Sequence, residues 1–138
     1  KYKFLAHTAD VMFEAYGSSL NELFENCALA TEETMVDTKD IEPKTKKEIK
    51  LKNNNAEKLL YDFLSELIYF KDAELLLFSK FKVSIKKSKG NYLLKADLYG
   101  EKLAENHKQK VDVKAVTYHK FEIKKRAKDY LARVILDI

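Results

Sequence analysis

The sequence contains very few of the residues that build disulfides, linkers and phosphate-binding loops. Its 138 residues include one cysteine, one proline, three glycines and no tryptophan. A single cysteine, Cys27, cannot form an internal disulfide or a paired-cysteine metal site, and its place in an apolar helical pattern predicts a core residue. The shortage of glycine and proline excludes a glycine-rich phosphate loop and a low-complexity linker.

Long apolar runs are absent as well. No stretch approaches the roughly 20 apolar residues that a membrane-spanning helix needs, and the start of the chain lacks the apolar segment of a signal peptide. We therefore expect a soluble, cytoplasmic protein with no membrane partner. A hydrophobic fraction of 46% over this length predicts one compact domain covering residues 1–138.

The charge balance is only mildly basic. There are 26 basic and 22 acidic residues, for a net charge of +4. This excess would help the protein approach an anionic partner, but it does not by itself predict nucleic-acid binding. Abundant Lys and Glu with few Gly and Pro are typical of hyperthermophile proteins, and an AT-rich genome would produce the same lysine bias.

The hydrophobic pattern predicts an α+β fold in which mostly antiparallel sheets are covered by two main helices. One helix begins after Ser18 or Ser19 and continues to about Met35, and the second covers about residues 56–70. On the first helix, Glu25, Glu32 and Glu33 lie off the apolar stripe, so we expect them to be solvated. Strands are predicted over 3–6, 11–16, 45–51, 75–87, 92–99, 110–125 and 130–138.

Motifs of covalent and nucleotide-dependent enzymes are missing. The sequence has no Gly-x-Ser-x-Gly elbow, no Walker-type loop and no HExxH helix, and its three histidines are scattered. An acidic stretch containing Asp37, Asp40 and Glu42 lacks the spacing and the glycine of an EF-hand, which makes these residues ordinary loop charges. The pattern argues against an independent covalent enzyme.

Carboxylates at the two ends of the chain are the best candidates for a metal site. Asp10 follows His7, Thr8 and Ala9 between two apolar, strand-like runs, and Asp137 ends the last apolar run. If Ile138 is the true terminus, its α-carboxylate adds a third acidic group. Three carboxylates would suit a hard cation such as calcium, magnesium or manganese.

Five short motifs follow one another along essentially the whole chain: His7 to Asp10, Gly17 to Leu20 with Glu22 to Phe24, Leu59 to Tyr61, Lys114 to His119, and Ile135 to Ile138. Together they resemble the archease family. The resemblance implies a non-catalytic protein of tRNA splicing that activates an RNA ligase. That ligase joins a 2′,3′-cyclic phosphate end to a 5′-hydroxyl end, and its activator promotes guanylylation of the ligase's histidine.

The same resemblance implies the partners and the metal. The partner would be the RNA-splicing ligase, with tRNA reached indirectly through it and no DNA involved. Asp10, Asp137 and the terminal carboxylate of Ile138 would bind a divalent cation, calcium first, with magnesium or manganese as alternatives.

Three further residues are candidates for ligase activation. Lys114 resembles the family's functionally required lysine, although a strand lysine is by default solvated. Glu57 stands where the family pattern has an acidic residue, although the helix dipole also favours a glutamate there. His7 could move a proton or bind a ligand, although a strand-end histidine more often bonds neighbouring backbone. No role is carried over to His107, because Lys108 and Gln109 follow it where archeases carry a His-Glu pair.

Two other functional classes stay open at this point. A stand-alone RNA-binding protein or chaperone would use the mild positive charge and the eight Tyr and eight Phe, although most of these aromatics lie on apolar faces. A metal-dependent hydrolase is the third interpretation.

Overall fold

The computed structural model describes residues 1–5 and 10–138, which form seven strands and two α-helices. A short 3-10 helix, Thr38–Asp40, lies between the first helix and the third strand. In the described part of the chain, no helix is both long and apolar enough to cross a membrane. The elements are β1 (Tyr2–Leu5), β2 (Asp10–Gly17), α1 (Leu20–Met35), β3 (Thr45–Asn53), α2 (Ala56–Glu74), β4 (Leu76–Ser88), β5 (Asn91–Lys102), β6 (Ala115–Lys125) and β7 (Tyr130–Asp137).

The strands form two antiparallel sheets that share the two helices. The four-stranded sheet has the order β1-β2-β7-β6, and the three-stranded sheet has the order β3-β5-β4. Helix α1 packs against β2 and β4, and α2 packs against β6 and all three strands of the smaller sheet. The predicted α+β class, with antiparallel sheets and two main helices, is confirmed.

Both helices begin with the side-chain caps that their sequences predict. The Ser19 hydroxyl accepts the Glu22 N–H, and the Glu22 carboxylate in turn accepts the Ser18 N–H. This reciprocal pair satisfies donors that the first helical turn leaves unpaired. Helix α2 is longer than predicted and ends at Glu74, where the following C-cap residue Leu75 adopts the left-handed conformation at φ 54°.

The apolar stripes of the helices form the core between the sheets. Leu23, Phe24, Cys27 and Ala28 are fully buried, and the ring of Phe24 stacks on that of Phe63 with centroids 5.9 Å apart. Burial raises the pKa of the Cys27 thiol, because the thiolate would lose its hydration. Cys27 is therefore a core residue, as its helical position predicts.

One predicted strand is too long. The run over 110–125 was predicted to be continuous, but β6 begins only at Ala115. The backbone N–H groups of Lys110 and Val111 instead donate to the carbonyls of Met35 and Thr34 at the end of α1. The segment 110–114, called the arm below, is thus held by the helix end and does not extend the strand.

The prediction of a solvated Glu32 is wrong. This side chain is fully buried, and its Oε1 accepts the Phe78 N–H at 3.3 Å. Residues one helical turn apart share a face, so Glu32 points with Ala28 toward β4. The first helix thereby carries a carboxyl group into the interior, and burial raises its pKa well above the usual range.

Candidate functional site at one end of the four-stranded sheet

Asp10 and Asp137 lie directly opposite each other on neighbouring strands. Asp10 begins β2, Asp137 ends β7, and the antiparallel register pairs the two residues. Side chains of directly opposed residues project from the same face of a sheet, with Cβ atoms about 4.5–5.5 Å apart. The two central strands of the sheet therefore place two carboxylates side by side where β2 begins and β7 ends. This end of the sheet is called the site edge below.

Lys114, the last residue of the arm before β6, lies next to this pair. Its backbone N–H donates to the Asp137 carbonyl at 2.8 Å, and the next residue, Ala115, pairs with Asp137 in the β6–β7 register. The Lys114 side chain is exposed. Lys114 is therefore next to the carboxylate pair, one residue before the position that lies opposite Asp137.

The arm that carries Lys114 is fixed by a lysine from α2. The Lys71 ammonium donates to the Val113 carbonyl at 2.8 Å and pairs with the carboxylates of Asp112 and Asp72. Burial disfavours the charged form of Lys71, but these carboxylates outweigh that effect and raise its pKa. Lys71 stays charged and holds the arm against α2 just before Lys114.

A shallow depression lies beside Asp10, between the start of the sheet and the arm. Phe4 and Val111 line it and are 47% and 39% exposed. Lys110 borders it, with its ammonium 2.9 Å from an Asp37 oxygen, and that partner raises the pKa of Lys110. The depression therefore offers exposed apolar surface immediately next to the carboxylate pair.

The donor set at the site edge fits a hard divalent cation only with help from other oxygens. Over residues 1–5 and 10–138, no group of three or more His, Cys, Asp or Glu side chains is arranged to hold a metal. Asp10 and Asp137 supply two carboxylates, and a chain that ends at Ile138 adds its α-carboxylate. Calcium takes six to eight oxygen ligands, so main-chain carbonyls and water would complete the shell. Opposed carboxylates also repel each other, and a cation would relieve that repulsion.

The other candidate residues lie elsewhere. The Glu57 carboxylate accepts the Ile123 N–H at 2.8 Å, which ties the start of α2 to β6. Ile123 pairs with Ala132, five residues along β7 from Asp137, which is on the order of 16 Å at the usual strand rise. Glu57 is therefore at the opposite end of the sheet. His7 is outside the described residues.

Two structural polar groups escaped the reasoning from sequence. His107 is buried, with Nδ1 accepting the Ala104 N–H at 2.8 Å and Nε2 lying 3.1 Å from a Glu101 oxygen. Because Nδ1 is an acceptor, Nε2 carries the proton and donates to Glu101. The contact of Lys71 with the arm has no local sequence signal, since Asp112 and Val113 are about 40 residues away. The partners of His107 are only three and six residues before it, but no recognised motif marks them.

The fold and this site define a class of small α+β proteins in which two aspartates and a lysine meet at one end of a four-stranded sheet. The model of the Archease protein family (MTH1598/TM1083) matches residues 2–138. The protein archease of Sulfurisphaera tokodaii is 41% identical, and the alignment covers 100% of this chain and 99% of that protein. The protein archease of Sulfolobus acidocaldarius is 44% identical with the same coverage. The chain belongs to the archease family.

Solved structures agree with this assignment. The solution structure of Methanobacterium thermoautotrophicum protein 1598 is similar with a TM-score of 0.90 and 42% identity, covering 99% of this chain and 98% of that one. A Thermotoga maritima crystal structure, titled as an archease and possible chaperone, has a TM-score of 0.64 at 20% identity, covering 99% and 96%. At that identity, the second similarity supports the fold alone.

Proposed function

We propose that this protein is a non-catalytic activator of a tRNA-splicing RNA ligase, promoting the ligase's guanylylation through the site edge formed by Asp10, Asp137 and Lys114. The supporting observation is the register that pairs Asp10 with Asp137, together with the Lys114 N–H that donates to the Asp137 carbonyl. Family membership supports an accessory role over a free-standing enzyme. The sequence motifs that resemble archeases include all three residues.

Each residue has a distinct task in this proposal. Asp10 and Asp137, with the α-carboxylate of a chain ending at Ile138, would hold a divalent cation, calcium first and magnesium or manganese as alternatives. When bound, such an ion neutralises charge on phosphate oxygens. The exposed Lys114 ammonium would contact a phosphate of the ligase's nucleotide and also balance the negative charge of the two aspartates.

The surface around the site edge suits docking on another protein. Phe4 and Val111 are exposed in the depression next to Asp10, and Ile138 is 36% exposed beside Asp137. Protein interfaces combine an apolar centre with a polar rim, and a ligase docked here would bring its nucleotide to the carboxylate pair. The tRNA would then be reached through the ligase.

Guanylylation of the ligase tests the proposal directly. Labelled GMP transfer to the ligase histidine is measured with wild-type protein and with Asp10→Asn, Asp137→Asn and Lys114→Gln. We expect each variant to lose most of the stimulation, while the matched control Asp40→Asn, in the exposed 3-10 helix, keeps it. Full stimulation by all three site variants contradicts the proposal. Suppressed ligase aggregation with no gain in guanylylation would instead identify a chaperone.

A second measurement separates the ion from the scaffold. Calorimetry compares calcium binding to the native chain and to a chain extended by Gly-Ser after Ile138. The extension converts a terminal carboxylate into a peptide carbonyl, and calcium affinity depends on the number of charged ligands. We expect weaker binding in the extended chain, and equal affinities would remove Ile138 from the site. Asp10→Ala should melt within a few degrees of wild type without metal, because relieving like-charge crowding does not destabilise the fold.

A further inference from the structure

The outward face of the three-stranded sheet has a strongly positive net charge. Strand residues alternate between the two faces, and the inner set packs on the two helices while the outer set faces solvent. Four rows cross the sheet in the order β3, β5, β4, and we call them the lysine face. The rows are Lys46-Tyr99-Lys80, Glu48-Asp97-Lys82, Lys50-Lys95-Ser84 and Lys52-Leu93-Lys86.

The charge of this face exceeds that of the whole chain. Its seven lysines and two carboxylates have a net charge of +5, whereas the complete sequence has +4. Both carboxylates lie in one row, and Lys46 approaches Asp97 at 3.8 Å. The two rows that contain Lys50 and Lys52 have no carboxylate at all. Positive charge is thus concentrated at one end of one sheet face.

Protection of sheet edges does not explain this pattern fully. Lysines on edge strands discourage pairing with other chains, and β3 and β4 are both edges. Lys95, however, lies on the central strand β5 directly opposite Lys50, and like charges facing each other are destabilising. Within the described part of the chain, no carboxylate lies within 4 Å of Lys50, Lys95 or Lys86. These ammonium groups are not balanced by the protein itself.

We propose that the lysine face binds the phosphate backbone of single-stranded RNA. Rows along a strand repeat about every 6.6 Å, which presents a regular array of positive charges to a chain of phosphates. On the central strand β5, Leu93 is 40% exposed at one end of the face, and at the other end the Tyr99 ring lies beneath the Lys80 ammonium, so bases or riboses have apolar surface to contact. The affinity of such binding would depend strongly on the salt concentration and weakly on the RNA sequence.

The composition of the face favours nucleic acid over an acidic protein. All its basic residues are lysines, which bind phosphates as point charges, and lysine is depleted from protein interfaces while arginine is enriched. A protein interface also needs an apolar centre, and here Leu93 is the one large exposed hydrophobic residue of the four rows. The choice of RNA over DNA rests on the proposed function, but the binding needs no ligase. If this face did not bind RNA, the proposed stimulation of guanylylation would be unaffected.

Fluorescence anisotropy of the isolated protein with labelled 20-nucleotide single-stranded RNA tests the proposal. We expect saturable binding at low salt and a loss of affinity in Lys50→Gln/Lys95→Gln. Each phosphate contact to a single strand contributes about 0.7 to the slope of log affinity against log salt, so two lost contacts should reduce the slope by about 1.4. The ratio of wild-type affinity to variant affinity should accordingly shrink about sevenfold as the salt concentration rises from ~50 to ~200 mM.

A charge-matched variant controls for net charge. Lys120→Gln/Lys128→Gln removes two exposed lysines from β6 and the β6–β7 turn and should bind RNA like wild type. Equal losses in both double variants would overturn a role for this face, as would no binding by wild type at low salt. Tighter binding of polyglutamate or single-stranded DNA than of RNA would also overturn the assignment to RNA.

Amide chemical shifts of the wild-type protein give a test that needs no substitution. Titration with the same RNA should move signals of β3, β4 and β5 around Lys50, Leu93 and Lys86, and leave those around Asp10 and Asp137 unchanged. Shifts confined to the four-stranded sheet would overturn the proposal. This readout also covers the case in which the double variant folds poorly.

Discussion

The buried carboxyl group of Glu32 makes the stability of this protein fall as the pH rises, and one substitution should remove that contribution. Its Oε1 accepts the Phe78 N–H, and within the described residues its Oε2 has no hydrogen-bond partner. Lys71 favours the ionised form, but burial acts more strongly and raises the pKa well above the ordinary 4.5. The folded protein thus keeps a proton that the unfolded chain releases.

The sign and size of the effect follow from proton linkage. Between pH 4.5 and the higher pKa of the folded state, the folded protein binds more protons than the unfolded chain. Glu32 therefore lowers the free energy of unfolding by about 1.4 kcal/mol for each unit that the pH rises through this range. Glu32→Gln is uncharged at every pH and keeps an oxygen that can accept the Phe78 N–H. The variant should lack this part of the pH dependence.

The two proteins should exchange their order of stability as the pH rises. Below pH 4.5 both side chains are neutral, and the glutamine has one more N–H without a partner, which costs about 1–3 kcal/mol. Dividing that cost by about 1.4 kcal/mol per pH unit places the pH at which the two proteins are equally stable between about 5 and 7. Urea unfolding at half-unit intervals from pH 4.5 to 8 measures the difference. The exposed Glu105→Gln serves as control and should give a constant difference.

A constant difference between Glu32→Gln and wild type across this range would refute the reasoning. It would mean that the folded protein releases the proton as readily as the unfolded chain does. If wild type instead gained stability relative to Glu32→Gln as the pH rose, an unrecognised cation would be stabilising the carboxylate inside the fold.

Two further predictions concern the scaffold. Gly100→Ala should lower the free energy of unfolding by about 1–3 kcal/mol or more, because the new Cβ would lie 1.8 Å from the Leu77 carbonyl oxygen, and the chain would have to move. Thermal melting checks this prediction. The control is Gly90→Ala, whose new Cβ meets open space and whose cost comes from the φ of +79° alone. Equal losses of stability in the two variants would contradict the steric argument. Lys71→Met should release the arm, since it removes the charged donor to the Val113 carbonyl, a bond of about 1.5–3 kcal/mol. Hydrogen exchange should then accelerate at Val113 to Ala115 and not at the α1 core, and unchanged exchange of the arm would show that Lys71 does not hold it.

Much of the fold could be predicted because its signals are local. The apolar stripe of α1, the Ser19 cap and the lysine-rich edge strand β3 each depend on residues a few positions apart. Periodicity of this kind decides which side of an element is buried before any partner is known. The two helices and the antiparallel hairpin of β4 and β5 therefore appear close to their predicted bounds.

What escaped prediction depends on residues far apart in the chain. Glu32 lies on the face that meets β4, although its charge suggests solvent, because packing of the whole helix decides its direction. The arm before Lys114 bonds to the end of α1, and the start of β6 moves accordingly. His107 is an exception, because its partner Glu101 is only six residues away and yet no recognised motif marks the pair.

The candidate sites show the same division. The sequence alone supplied the identities of Asp10, Asp137 and Lys114, but their proximity at one end of the sheet depends on the pairing of β2 with β7 and of β7 with β6. The lysine face is likewise invisible in a net charge of +4, because only the register of three strands aligns its rows. Local patterns are set by neighbouring residues, whereas strand register is set by the packing of the entire core, and it is register that places these charges together.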